Sequence, residues 1–320
     1  MSKRVAAIDC GTNSIRLLVA ELDPATGAAR ELDRRMEIVR LGQGVDATGR
    51  LADEALARTF AACDRYAEQI GLLGADQIRF VATSATRDAS NRDAFFAGVR
   101  SRLGVEPEVI SGDEEANLSF TGATGALNGA AIAAAATSAG AVAYPTPYLV
   151  IDIGGGSTEF VLGTHTVQAA RSVDIGCVRL TERHLVGDPP TPGQISAAGQ
   201  DVDRAIDLAA ETVPLAEARS LVGLAGSVTT VAAIALGLTE YDRDRVHLAR
   251  IPTDEVRAVA GDLLAMTRER RAAIPSMHPG RVDVIGAGAL VLARIADRLG
   301  LPDLIVSEHD ILDGIAASMR

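Results

Sequence analysis

The sequence predicts an α/β fold built from two duplicated domains. Three observations carry this. Short β-rich apolar runs alternate with longer stretches of helical spacing. The stretch from Ile8 to Val19 aligns without gaps on the stretch from Ile151 to Leu162, each reading as strand, Gly-containing turn, strand. The chain has 320 residues, enough for two domains of ordinary size.

In the first half, residues 4–9 form a β-rich apolar run, 14–22 a second strand, and 28–41 hold a third. Residues 53–70 place Leu56, Phe60, Cys63 and Ala67 on one helical face. A buried strand over 78–82, a helix over 92–103, a strand over 106–110 and a helix over 113–122 follow. The composition then shifts at 125–147 to Ala, Gly, Ser and Thr with two prolines, which marks a linker or insertion with an Ala-rich, helix-compatible centre. The expected division is an N-terminal domain over 1–125, the insertion over 126–147 and a C-terminal domain over 148–320. In the second half, strands are expected at 148–153, 159–162 and 166–173, and helices at 192–211 and 253–267. Residues 221–224 and 283–285 read as short strands, each entering a Gly-containing turn and then a helix. The last helix begins near Asp310.

Composition narrows the function classes. Hydrophobic residues are 48% and charged residues 23%, the balance of a soluble globular protein. Aromatics are 3% with no Trp, so Ala, Val, Ile and Leu build the core. A net charge of -11 argues against general nucleic-acid binding, which needs a basic surface. An anionic substrate stays open, because a local Arg cluster makes its own field. The three cysteines, Cys10, Cys63 and Cys177, form no C-x-x-C pair, which fits a reducing cytoplasm. Cys10, beside the first turn, reads as a small buried residue rather than a nucleophile. No signal peptide is visible, and the apolar run over 130–143 is too short to span a bilayer, so no membrane partner is expected.

The glycine turn of the second half poses an electrostatic problem. If Gly154–Ser157 is a four-residue hairpin loop, Ile153 pairs with Thr158 and Asp152 with Glu159. Opposed residues of an antiparallel ladder share a face, about 5 Å apart. Two carboxylates there repel unless a cation sits between them or one is protonated. The matching pair of the first half, Asp9 and Arg16, attracts instead. A hard divalent cation, Mg²⁺ or Mn²⁺, is the simplest counter-ion for Asp152 and Glu159. The loops themselves, Gly11-Thr12-Asn13-Ser14 and Gly154-Gly155-Gly156-Ser157, can turn backbone N–H groups toward a phosphate.

Ser111 and Glu114 have the spacing of a helix capping box, which leaves Glu115, about 100° further round the helix, with no capping duty. Ser227 is expected to cap the helix that follows Gly226. Asp310 is expected to cap the final helix, and 242–245 reads as a solvated loop. His165, His184, His247 and His278 lack ligand spacing. His309-Asp310 invites comparison with HD metallohydrolases, but the other ligands of such a site are missing.

Six stretches, in order, carry a resemblance: IDCGTNSIRLL (8–18), VATSATR (81–87), VISGDEEA (109–116), VIDIGGGSTE (150–159), DIGCVRL (174–180) and RVDVIGAGAL (281–290). The two loops resemble the phosphate loops of the acetate and sugar kinase/Hsp70/actin superfamily. More specifically, the chain resembles the exopolyphosphatase and guanosine pentaphosphate phosphohydrolase family. The insertion over 126–147 looks longer than is usual there, and the longer relatives' C-terminal helical region is not seen.

That resemblance implies two ribonuclease-H-like (actin-like ATPase) domains with an interdomain cleft, and a final helix that packs back onto the first domain. It implies a metal-dependent exopolyphosphatase that releases terminal phosphate from inorganic polyphosphate or from guanosine pentaphosphate, and the net charge of -11 favours short chains. By motif position Glu115 activates or orients the attacking water, and Arg87 grips the phosphoryl group. Gly11, Thr12, Asn13, Ser14, Arg16, Gly154, Gly155, Gly156, Ser157 and Thr158 contact phosphates. Asp152 and Glu159, with Asp9, hold the metal. A homodimer is compatible with this reading. An ATP-dependent kinase of the same superfamily and a non-catalytic alarmone-binding sensor are the rival readings.

Overall fold

The first half opens on three antiparallel strands, β1 (Lys3–Cys10), β2 (Ser14–Leu22) and β3 (Ala29–Ile38). The computed structural model describes residues 3–23, 29–136 and 144–319. Strands β4 (Gln77–Ala82) and β5 (Glu108–Val109) join in parallel on the other side of β1, giving the order β3-β2-β1-β4-β5. Side chains alternate across the sheet, as period-2 geometry requires. Ala6, Ile8 and Cys10 enter one core with Leu56, Tyr66, Phe80 and Phe95. Val5 and Ala7 enter a second core, with Leu118, Ile311, Leu312 and Ile315. The first core lies under the Asp53–Leu73 and Arg92–Leu103 helices, the second under Gly112–Ala136 and Ile311–Ala317.

The chain divides into two compact units, 1–122 with 311–320, and 123–310. The boundaries differ from the expected C-terminal domain over 148–320, while the return of the last helix to the first unit agrees with what the resemblance implied. The last helix buries Ile311, Leu312, Ile315 and Ala316 in the core of the first unit. The first boundary falls inside the Gly112–Ala136 helix, which also runs through the first part of the expected insertion. Residues 137–143 of that insertion lie outside the described residues. Ile315 has no exposed surface. Ile315→Ala is therefore expected to lower unfolding free energy by about 2–5 kcal/mol, read from the denaturant midpoint at unchanged slope.

The second unit repeats the plan. Strands β6 (Tyr148–Ile153), β7 (Thr158–Gly163) and β8 (Val167–Val173) form the antiparallel meander. Parallel β9 (Ser220–Leu224) pairs with β6, and β11 (Asp303–Val306) with β9. The short antiparallel β10 (Arg250–Pro252) completes the order β10-β11-β9-β6-β7-β8. Both units therefore carry the mixed sheet of a ribonuclease-H-like fold. Their cores are mainly aliphatic, as an aromatic-poor composition dictates.

Several local expectations need correction. Residues 283 and 284 form a turn, and Ile285 opens the Ile285–Leu299 helix, so no strand lies there. Three apolar residues at a helix entrance imitate a short buried strand. Ser227 lies inside the Ala225–Ala235 helix and is buried, because the helix starts three residues earlier than a Ser227 cap would place it. Asp242 caps a short helix, Arg243–Val246, through the amides of Asp244 and Arg245. The Ser111 hydroxyl accepts from Glu114 N at 3.2 Å, but the Glu114 carboxylate accepts from Arg79 Nη2 at 2.8 Å, so only that half of the capping box is in place. Asp310 does immediately precede the final helix. Among the described residues no helix is long and apolar enough to cross a membrane.

Candidate phosphate-binding and hydrolytic site

In the first unit the β1–β2 turn closes with Gly11 N donating to Ser14 O at 2.9 Å. The segment after β3 then grips the turn's carbonyls. Gly42 N donates to Thr12 O at 2.8 Å, and Val39 N and Arg40 N donate to Asn13 O at 3.1 and 2.9 Å. A peptide unit is planar and trans, so its N–H points opposite its C=O. Pulling back the Thr12 and Asn13 carbonyls turns the amides of Asn13 and Ser14 away from the clamp. Position 42 must be glycine for this fit, since a Cβ there would stand 2.3 Å from Thr12 Cγ2.

Asp9 and Arg16 sit opposite one another, as the hairpin register predicts. The Arg16 guanidinium donates to Asp9 Oδ2 through Nη2 at 2.7 Å and Nε at 3.0 Å. The two residues assigned by resemblance to metal and phosphate thus meet each other first.

The helix Ser84–Asp88 carries the next contacts, where the sequence suggested a strand running into a loop. The Ser84 and Thr12 hydroxyls are 2.9 Å apart. One turn further, Arg87 Nη1 donates to Glu115 Oε2 at 2.7 Å and to the Ile110 carbonyl at 2.9 Å. Glu115 is only 8% exposed. The residues expected to orient water and to grip phosphate are therefore an ion pair, linked to the turn through Ser84. Cys10, at the end of β1, is buried, and burial pushes its thiol well above the usual range, which suits packing rather than attack.

In the second unit the turn is drawn the same way, with Gly154 N donating to Ser157 O at 3.0 Å. Its clamp is the start of the Cys177–His184 helix, an element the sequence reading missed. Cys177 N donates to Gly154 O at 3.0 Å, while Val178 N and Arg179 N donate to Gly155 O at 2.9 and 3.1 Å. Arg179 Nε donates to Gly156 O at 2.8 Å. Gly176 presses on the turn so closely that a Cβ would lie 2.5 Å from the Gly155 backbone. The repeat thus extends beyond the aligned stretch: in each half a third strand ends, and a glycine-containing segment grips the glycine turn. Gly42 and Gly176, each a few residues past a third strand, were the available sequence signal.

Asp152 pairs with Glu159 and Ile153 with Thr158, the register expected from a four-residue loop. Asp152 is 7% exposed and Glu159 fully buried. Ser172, opposite Glu159 on β8, donates its hydroxyl to Glu159 Oε1 at 2.7 Å. Thr158, expected among the phosphate contacts, is fully buried and donates its hydroxyl to Ile175 O at 2.6 Å. Two buried hard-oxygen donors on one face suit Mg²⁺, which is commonly held by one or two carboxylates plus water and substrate phosphate. Among the described residues no group of three or more His, Cys, Asp or Glu side chains could hold a metal. Any cation here would rely on that pair.

Gly226 admits the close approach of Arg281, whose guanidinium carbon would lie 2.5 Å from a Cβ at that position. Arg281 Nη1 donates to Thr230 Oγ1 at 2.8 Å.

Comparison with known proteins identifies the family. The family model for the Ppx/GppA phosphatase family matches residues 19–320. Exopolyphosphatase 2 of Mycobacterium tuberculosis is 52% identical over 327 residues, covering 99% of this chain and 98% of that protein. The crystal structure of an exopolyphosphatase-like protein superposes with a TM-score of 0.92 at 45% identity, covering 99% of this chain and 98% of the other. A guanosine-5'-triphosphate,3'-diphosphate pyrophosphatase of Aeromonas salmonicida is 28% identical over 97% of this chain but only 58% of its own length. With both glycine turns, their clamps and the acidic residues in place, the chain belongs to the Ppx/GppA phosphatase family.

Proposed function

We propose that the protein is an exopolyphosphatase that removes terminal phosphate from inorganic polyphosphate, with short chains preferred. The observation that carries this is the Glu115–Arg87 pair, 2.7 Å apart, one helical turn from the serine that touches the first glycine turn. A buried carboxylate held by a guanidinium is a fixed acceptor for the proton of an attacking water. That water forms the new P–O bond, the bridging P–O bond to the shortened chain breaks, and orthophosphate leaves.

The amides of Asn13 and Ser14, and of Gly155, Gly156 and Ser157, supply donors to phosphate oxygens. Phosphoryl transfer of this kind needs positioning and charge balance more than a strong base. A Mg²⁺ or Mn²⁺ ion held by Asp152 and Glu159 would neutralise phosphate oxygens. Polyphosphate is favoured over guanosine pentaphosphate because the exopolyphosphatase relative matches over 98% of its length, the guanosine relative over 58%. Short chains are favoured because a net charge of -11 repels a long polyanion away from the site. The three cysteines are free, which supports a cytoplasmic location.

The test is phosphate release from tripolyphosphate, long polyphosphate and guanosine pentaphosphate, each with Mg²⁺ and without ATP or acceptor. Release is expected to be fastest from tripolyphosphate. A strict requirement for ATP or an acceptor would make the chain a kinase. Tight guanosine pentaphosphate binding without turnover would make it a sensor.

A further inference from the structure

We propose that Arg179 is a positioning residue for the second phosphate turn, acting through the peptide between Gly156 and Ser157. The inference rests on the reading of Gly154–Ser157 as a phosphate loop. It goes beyond that reading by assigning a side chain to the loop's preorganisation.

The two turns correspond position by position, Gly11 to Gly154 and Ser14 to Ser157. At the second position both carbonyls, Thr12 and Gly155, are held by backbone amides of the clamp. At the third position the turns differ. Asn13 O receives two backbone donors, Val39 N and Arg40 N. Gly156 O receives the Arg179 side chain, through Nε at 2.8 Å. Backbone donors come with almost any residue, but this donor comes only with a side chain of the right reach.

The peptide that Arg179 holds is a mobile one by nature. Gly156 has no Cβ to restrict its dihedrals, so the unit can rotate unless something fixes it. With its oxygen fixed on the Arg179 side, the Ser157 N–H is directed to the opposite side. A preorganised donor of this kind contributes to binding because it costs no reorganisation when the anion arrives. The guanidinium also places a positive charge behind the turn, on the side away from the amides. Arg179 itself is half-buried and rooted in the first turn of the Cys177–His184 helix, whose neighbouring amides already hold Gly154 and Gly155.

The experiment compares wild type with Arg179→Met, Arg179→Gln and Arg179→Ala on tripolyphosphate with Mg²⁺. Arg179→Met keeps the stem and removes donors and charge. It is expected to raise KM about tenfold, a 1.4 kcal/mol effect, with a smaller change in kcat and a thermal midpoint close to wild type. Arg179→Gln keeps a donor without the charge and is expected to fall between the two. Methylguanidinium in the buffer is expected to lower the KM of Arg179→Ala but not of Arg179→Met, whose stem fills the space. A KM for Arg179→Met within twofold of wild type overturns the proposal. So does a rise that methylguanidinium fails to reverse selectively in Arg179→Ala. If Arg179→Met does not fold, the decision rests on Arg179→Gln and on the rescue. Wild type serves as the control for the underlying reading. If it releases no phosphate, the functional assignment fails, whereas hydrolysis with an indifferent Arg179 defeats this inference alone.

Discussion

Replacing Glu115 by glutamine is expected to lower kcat for phosphate release by about 10²–10⁴-fold, the range attributed to a positioned acid or base. KM and the thermal midpoint are expected to move little. Glutamine has the same shape and can still accept from Arg87 Nη1, so the contact at 2.7 Å survives as a neutral-acceptor hydrogen bond. What is lost is the capacity to take a proton from water. Arg87→Met should also slow release, by freeing the carboxylate to leave its fixed orientation. Because the two side chains form one unit, the double variant should lose much less than the product of the single losses. Strictly multiplicative losses would mean that Arg87 acts on the phosphoryl group independently of Glu115. Wild-type turnover in Glu115→Gln would remove Glu115 from the chemistry.

The strands nearest the site were legible because two local rules coincide there. Alternation fixes which face a β-strand residue takes, and a four-residue turn fixes register. Asp152 therefore had to face Glu159, and Asp9 had to face Arg16, as they do. The clamps left only a faint signal, Gly42 and Gly176, because their contacts are to backbone carbonyls and impose little pattern on side-chain type. Arg179 was hidden for a related reason: its helix was not foreseen, and its partner is a glycine carbonyl. The Arg87–Glu115 pair joins residues 28 apart, a contact no local periodicity encodes. The return of the final helix to the first unit came from the family resemblance alone, because Ile311, Leu312 and Ile315 announce a buried face but not which domain's core receives it.

Asp152→Asn and Glu159→Gln are expected to separate activity from stability in opposite directions. Each should reduce phosphate release at least about 100-fold, since a divalent ion contributes several kcal/mol of charge stabilisation in such reactions. Each should nonetheless leave the metal-free protein as stable as wild type, or more so. The two carboxylates are paired across β6 and β7 with 7% and 0% exposure, so their repulsion is only weakly screened. At about 5 Å and an effective dielectric of about 20, the Coulomb cost approaches 3 kcal/mol. Ser172 can still donate to the amide oxygen of glutamine, so the hydrogen bond to position 159 need not be lost. Thermal unfolding in chelator should therefore show a midpoint in the variants that is unchanged or raised by up to about 10 °C, at about 2–4 °C per kcal/mol for a unit of this size. Adding Mg²⁺ should raise the wild-type midpoint by mass action and leave the variants unchanged. A wild-type midpoint indifferent to Mg²⁺ and Mn²⁺, or variants that unfold well below wild type in chelator, would show that the facing acids are reconciled by the protein alone. The cation would then have to be placed elsewhere.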